Sequence, residues 1–119
     1  MRTNLLAETL EVLSESDKAP EDVLWVGSRD GKRAMSWKTF AAIADFSYDS
    51  GFGGQEIASD LVVVGSDWWL ERGEYDGSEW WEFRTRPELN HENEGFTSVR
   101  NGYSWATIEE MNRPGGKHA

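Results

Sequence analysis

Two tryptophan pairs flank a single Asp-Gly step in the run DWWLERGEYDGSEWWEFRT, residues 67–85. Asp-Gly between β-forming residues is the strongest short-range hairpin signal, because both residues of a type I′ turn need positive φ. Placing Asp76-Gly77 in that turn determines the register. Tyr75 faces Ser78, Gly73 faces Trp80, Arg72 faces Trp81, Glu71 faces Glu82, Leu70 faces Phe83 and Trp69 faces Arg84.

Strand alternation then sorts the side chains. One face carries Trp68, Leu70, Arg72, Glu74, Glu79, Trp81 and Phe83. It is apolar away from the turn and is expected on the core, with Arg72 opposite Trp81 as a cation–π pair. The other carries Trp69, Glu71, Gly73, Trp80, Glu82 and Arg84, and there Trp80 can shield the bare backbone at Gly73. Glu71 against Glu82 is unfavourable without a cation beside them. Because the tryptophans are adjacent in each strand, one of each pair must leave the core face. Two outcomes are open. Either the N-terminal helix covers Trp69 and Trp80, giving a sheet between helical layers, or the two form an exposed aromatic and acidic patch of the kind that anchors binding.

The rest of the chain supplies partners for this hairpin. Leu5, Leu6, Leu10, Val12 and Leu13 predict an amphipathic helix over 4–14, capped by Thr3 or Asn4. Val23 to Ser28 reads as a strand, with a type I′ turn at Asp30-Gly31 leading into a second strand, Arg33 to Met35. Ser36 caps a helix whose stripe is Trp37, Phe40, Ala41 and Ala44, with Met35 and Phe40 as a hydrophobic staple. Tyr103-Ser104-Trp105 repeats that phrase and predicts a helix from Trp105 to about Met111, stapled by Tyr103 and Ile108. Asp45 to Asp60 reads as a glycine-rich, acidic, mobile loop packed down by Phe46, Tyr48 and Phe52. Leu61 to Val64 is an apolar strand that joins the hairpin in a three-stranded meander, and Phe96 to Val99 reads as a last short strand. The expected class is α+β: a small antiparallel sheet, meander plus N-terminal hairpin, packed with two or three short helices. One domain is expected over 1–112, with a loose tail over 113–119.

The charge is −10, and it is concentrated. Over residues 45–82 ten acids meet Arg72 alone, whereas Arg29, Lys32, Arg33 and Lys38 leave residues 29–44 positive. Direct nucleic-acid binding needs a basic footprint that this chain lacks, and an acidic surface suits basic partners instead. Simple solubility is the other reading of the same charge. There is no cysteine, so thiol chemistry is excluded and a reducing compartment fits. Glu8 and Glu11 interrupt the N-terminal leucines, so no signal peptide is expected. A cytoplasmic protein without membrane contact follows as the expectation.

Catalytic patterns are weak. Glu71 with Glu82, or Glu74 with Glu79, would be too close across the strands to straddle a glycosidic bond. Glycines 51, 53 and 54 are ringed by Asp45, Asp49 and Glu56, which opposes a phosphate cradle. His91 and His118 fall in loop and tail, and any metal would need an all-carboxylate site. The expectation is a protein that is not an enzyme and takes no cofactor or metal.

The stretches VGSRDGKRAMSW, YDSGFGGQEIASDLVVVG and WWLERGEYDGSEWWEF resemble small accessory proteins encoded by tailed phages and prophages of actinobacteria. The resemblance spans residues 23–87. No activity is assigned to that family, so it implies a setting, a host cytoplasm, and no functional residues. With the charge pattern it points to a protein that binds and modulates or blocks a host protein with a basic surface. The candidate binding residues are Trp69, Glu71, Trp80 and Glu82, with Asp76 at the turn. A carbohydrate- or small-ligand-binding module built on Trp69 and Trp80, and a virion or structural subunit, are the competing readings.

Overall fold

A computed structural model describes residues 2–51, 53–100 and 105–113. It divides into two compact units, Met1–Arg86 and Pro87–Ala119, where the sequence suggests one domain over 1–112. The class is α+β.

In the first unit the elements run β1 (Arg2–Asn4), α1 (Leu5–Glu15), β2 (Trp25–Ser28), β3 (Ala34–Met35), α2 (Trp37–Ile43), β4 (Ser47–Asp49), β5 (Leu61–Val64), β6 (Trp68–Tyr75) and β7 (Ser78–Thr85). Five strands form one antiparallel sheet in the order β3-β2-β5-β6-β7. Every hairpin pair has the expected register, from Tyr75 with Ser78 to Trp68 with Thr85. Asp76 and Gly77 take φ of 49° and 88°, the conformation a type I′ turn demands.

The other Asp-Gly step behaves differently, and the expected type I′ turn there is corrected. Val26 pairs with Met35 and Gly27 with Ala34, which makes residues 29–32 a four-residue connection. Only Gly31 has positive φ, at 76°. The Asp30 carboxylate accepts the Ser28 hydroxyl at 2.7 Å and the Lys32 N–H at 2.9 Å. Those bonds, the Ser28 one foremost, hold its pKa below the ordinary value and tie the loop into an Asx-type turn.

Asn4 caps α1 by accepting the Ala7 N–H, and Ser36 caps α2 by accepting the Thr39 N–H. Both helices pack on one face of the sheet. Leu5 and Leu13 of α1, Phe40 and Ala44 of α2, and Tyr48 of β4 share a core with Val26, Val63, Trp68, Leu70 and Trp81. Trp81 donates its indole N–H to Thr9 at 2.8 Å, and the Thr9 hydroxyl in turn donates to the Leu5 carbonyl at 2.7 Å. The polar end of a buried tryptophan is thereby satisfied. Met35 and Phe40, the expected staple, line one apolar pocket, with Phe40 buried and Met35 at the rim.

Part of the segment expected as a loop is a strand. Ser47–Asp49 pairs with Arg2–Asn4 in a separate two-stranded sheet. Tyr48 is fully buried as expected, but Phe46 is exposed, and Phe52 lies outside the described residues. The reason is tertiary: α2 brings β4 back to the N-terminus, where the Leu5 and Leu6 N–H groups donate to the Phe46 and Ala44 carbonyls at 3.0 Å.

In the second unit α3 spans Ile108–Asn112 and is capped by Thr107 with Glu110 in a capping box. The helix expected from Trp105 therefore starts later, since Thr107 offers the better cap. Tyr103, one half of the expected second staple, and the serine beside it, Ser104, lie outside the described residues, as do residues 114–119 of the expected tail. Phe96 to Val99 is not a strand; Asn112 instead accepts the Thr97 and Ser98 N–H groups at 3.0 and 2.9 Å.

Candidate interaction surface

The N-terminal helix does not cover Trp69 and Trp80. It lies beneath Trp81 on the opposite face, so the expectation of a sheet between two helical layers is corrected for this unit. The physical reason is that α1 buries its stripe where the hairpin is apolar, against Trp68, Leu70 and Trp81. Trp69 is half-buried and Trp80 is 36% exposed.

The register arranges the helix-free face in rows. Trp25, Val64, Trp69 and Arg84 form one row across β2, β5, β6 and β7. Gly27, Val62, Glu71 and Glu82 form the next, and Gly73 with Trp80 the one nearer the turn. A groove of about 310 Å³ opens here, lined by Trp25, Arg29, Val62, Val64, Trp69 and Glu71. Val62 is buried, yet it stands apart from the main core.

Arg84 relieves the opposition of Glu71 and Glu82. Its guanidinium lies 3.1 Å from Glu82 and 4.0 Å from Glu71, and the side chain stays 45% exposed. Glu71 also accepts the Trp69 indole N–H at 2.7 Å, which holds that ring beside the groove. A methyl group at Gly73 would come within 2.8 Å of the Trp80 indole nitrogen and 2.7 Å of Glu82. Trp80 therefore lies over this glycine, as the register requires. Four of the five candidates, Trp69, Glu71, Trp80 and Glu82, share this face. Asp76 does not join them: it sits at the exposed hairpin tip and makes the turn.

Trp25, Arg29, Val62 and Val64 escaped the sequence reading. For Val62 and Val64 the signal is the run LVVV, which is apolar on both strand faces and so implies something to cover on each side.

The opposite face holds a buried polar cluster. Arg72 lies over Trp81 at 4.7 Å from the ring centroid, the cation–π pair the register predicts. It also donates to Glu79 at 3.0 Å and to the Tyr48 hydroxyl at 2.9 Å, and its other terminal nitrogen is 3.7 Å from Glu8. Tyr48 donates to Glu8 at 2.6 Å. Burial, reinforced by the bond to Glu8 and opposed by Arg72, pushes the Tyr48 pKa up to about 12. Glu79 further accepts the backbone N–H of Glu56 at 2.7 Å. This cluster binds the hairpin to α1, β4 and the segment after β4.

His91 is exposed in a turn, and His118 lies outside the described residues. Among the described residues no group of three or more His, Asp or Glu is placed to hold a metal ion, and no helix is long and apolar enough to cross a membrane.

No family model, curated protein or solved structure matches this chain.

Proposed function

We propose that the protein acts by binding, on the Trp69–Trp80 face, a host protein that presents a basic surface. One observation carries this reading: both α-helices of the first unit lie on the other side of the sheet, leaving tryptophans and carboxylates together on this one. Neither Trp69 nor Trp80 is buried, so both are available as anchors. The acids of residues 45–82 add long-range attraction toward a cationic partner. The resemblance to phage accessory proteins supplies the host setting.

The test is retention of host proteins on the immobilised protein at low and high salt, beside Trp69→Ala, Trp80→Ala and a Glu71→Gln/Glu82→Gln double variant. The expected result is a basic protein released by salt and lost with each variant. Retention that ignores both salt and these substitutions removes the proposal.

The groove beside Trp25 and Trp69 favours a second reading, a small ligand such as a sugar stacked on an indole. That reading predicts a salt-independent change in tryptophan fluorescence with glycans, abolished in Trp69→Ala.

A further inference from the structure

The sheet has two unlike edges. At one, β3 is two residues long; at the other, β7 runs for eight. In the β6–β7 hairpin Tyr75 and Ser78 close the turn, so residues 78, 80, 82, 84 and 86 direct their backbone groups toward β6. The 2.8 Å and 3.0 Å contacts at Gly65 N–H to Trp68 carbonyl and Arg86 N–H to Asp67 carbonyl follow the same alternation. Glu79, Trp81, Phe83 and Thr85 therefore point their N–H and C=O groups away from the sheet. The Glu79 N–H is taken by the Ser50 carbonyl at 2.8 Å. For Trp81, Phe83 and Thr85, the one contact among the described residues is a 3.5 Å approach of the chain's own Arg84 guanidinium to the Phe83 carbonyl. Such an edge is a template for another strand.

We infer that β7 pairs antiparallel with β7 of a second copy of this chain, on a twofold axis at Phe83, to join the two sheets edge to edge. The register follows from charge and from the two ends of the free ladder. Outward residues are all odd-numbered, so a twofold axis must fall on a residue of β7. An axis at Glu82 sets that carboxylate against its own copy, and an axis at Arg84 does the same for two guanidinium groups. An axis at Trp81 needs the Glu79 N–H, which Ser50 already holds. At Phe83 these conflicts vanish. Glu82 faces the second copy's Arg84, and Trp80 faces the second copy's Arg86, all on the helix-free face. Phe83 pairs with Phe83, and Trp81 exchanges both backbone bonds with Thr85. The next position on each side would match Glu79 with Pro87. One has its N–H occupied and the other has none, so the ladder ends there for both chains.

The occupant is a second copy rather than an unrelated strand because β7 carries both halves of the complement, Glu82 and Arg84. The isologous pairing uses each twice. The contact lies on the edge beside the Trp80 side of the proposed binding face, and it stands or falls independently of that proposal.

Sedimentation of the full chain across a concentration series provides the test, with thermal melts confirming that each variant folds. The wild-type chain is expected to shift from monomer to dimer with concentration. Thr85→Pro removes an outward N–H that the monomer does not use, and should weaken dimerisation roughly tenfold or more. Glu82→Arg should weaken it by a similar factor, and Glu82→Arg/Arg84→Glu should restore it, because the pair is then exchanged rather than broken. A chain that stays monomeric throughout overturns the inference. So does a dimer indifferent to Thr85→Pro, or one that Glu82→Arg weakens and the charge exchange fails to rescue.

Discussion

Arg72 and Arg84 sit on the same hairpin in closely similar company. Each lies directly opposite a tryptophan, Trp81 for Arg72 and Trp69 for Arg84, and each has two glutamates nearby. Strand alternation sends them to opposite faces, and there the resemblance ends. The Arg72 side chain is 4% exposed, enclosed by α1 and β4, and bonded to Tyr48 and Glu79. Arg84 is 45% exposed and holds two surface carboxylates at 3.1 and 4.0 Å. The hairpin alone gives each arginine a facing tryptophan and a glutamate, Glu79 for Arg72 and Glu82 for Arg84. A covering layer enclosed one arginine and left the other at the surface, and the enclosed pair matters more because removing water raises both the strength of a charge pair and the cost of losing half of it.

The largest expected effect comes from Arg72→Met, which strands Glu79 and Glu8 against the core. Denaturant unfolding should show a loss of about 3–5 kcal/mol. A loss below about 1 kcal/mol would erase the distinction between the two arginines.

Glu79→Gln should cost roughly 2–3 kcal/mol by the same measurement. Arg72 bonds to one oxygen of the carboxylate and the Glu56 N–H to the other, and an amide would set an NH2 donor against one of these two donors.

Tyr48→Phe should cost about 1–2 kcal/mol at neutral pH through its lost bonds to Glu8 and Arg72. It also has a pH signature. The Tyr48 pKa is raised from 10.0 to about 12 in the fold, so its contribution is fully present below pH 10 and is lost as pH rises through 12. Melting temperatures of the parent should therefore fall across that window more steeply than those of the phenylalanine variant. Parallel curves would show that the hydroxyl is not held as described.

The smallest effect belongs to Arg84→Ala, within about 1 kcal/mol and shrinking further in salt. A cost equal to that of Arg72→Met would mean that the helix-free face is structural after all.

Much of this was legible in the sequence. The hairpin pairing, the Arg72–Trp81 contact and the coverage of Gly73 by Trp80 all follow from one turn and strand alternation, which are local rules. So does the cap at Ser36, while the first helix's cap narrows to Thr3 or Asn4. Legibility ended where pairing partners are distant. The β1–β4 sheet joins three-residue strands 45 positions apart at Thr3 and Tyr48, too short to show alternation. The groove residues Trp25, Val62 and Val64 meet Trp69 only once β2 is seated against β5.

Asp-Gly appears twice and makes two different turns, which marks the same boundary at small scale. At Asp76 the flanking strands are eight residues each and their pairing enforces the two-residue turn. At Asp30 the second strand has two residues, and the Asp30 carboxylate bonds to Ser28 and Lys32 instead. By itself the sequence determined which side chains share a face, since periodicity is written in neighbouring residues. Which face the helices cover, and so whether Arg72 or Arg84 is locked away, was decided by contacts such as Thr9 with Trp81, 72 positions apart. Only the folded chain brings such residues together, and the free energy that selects a face comes from burying one apolar surface against another.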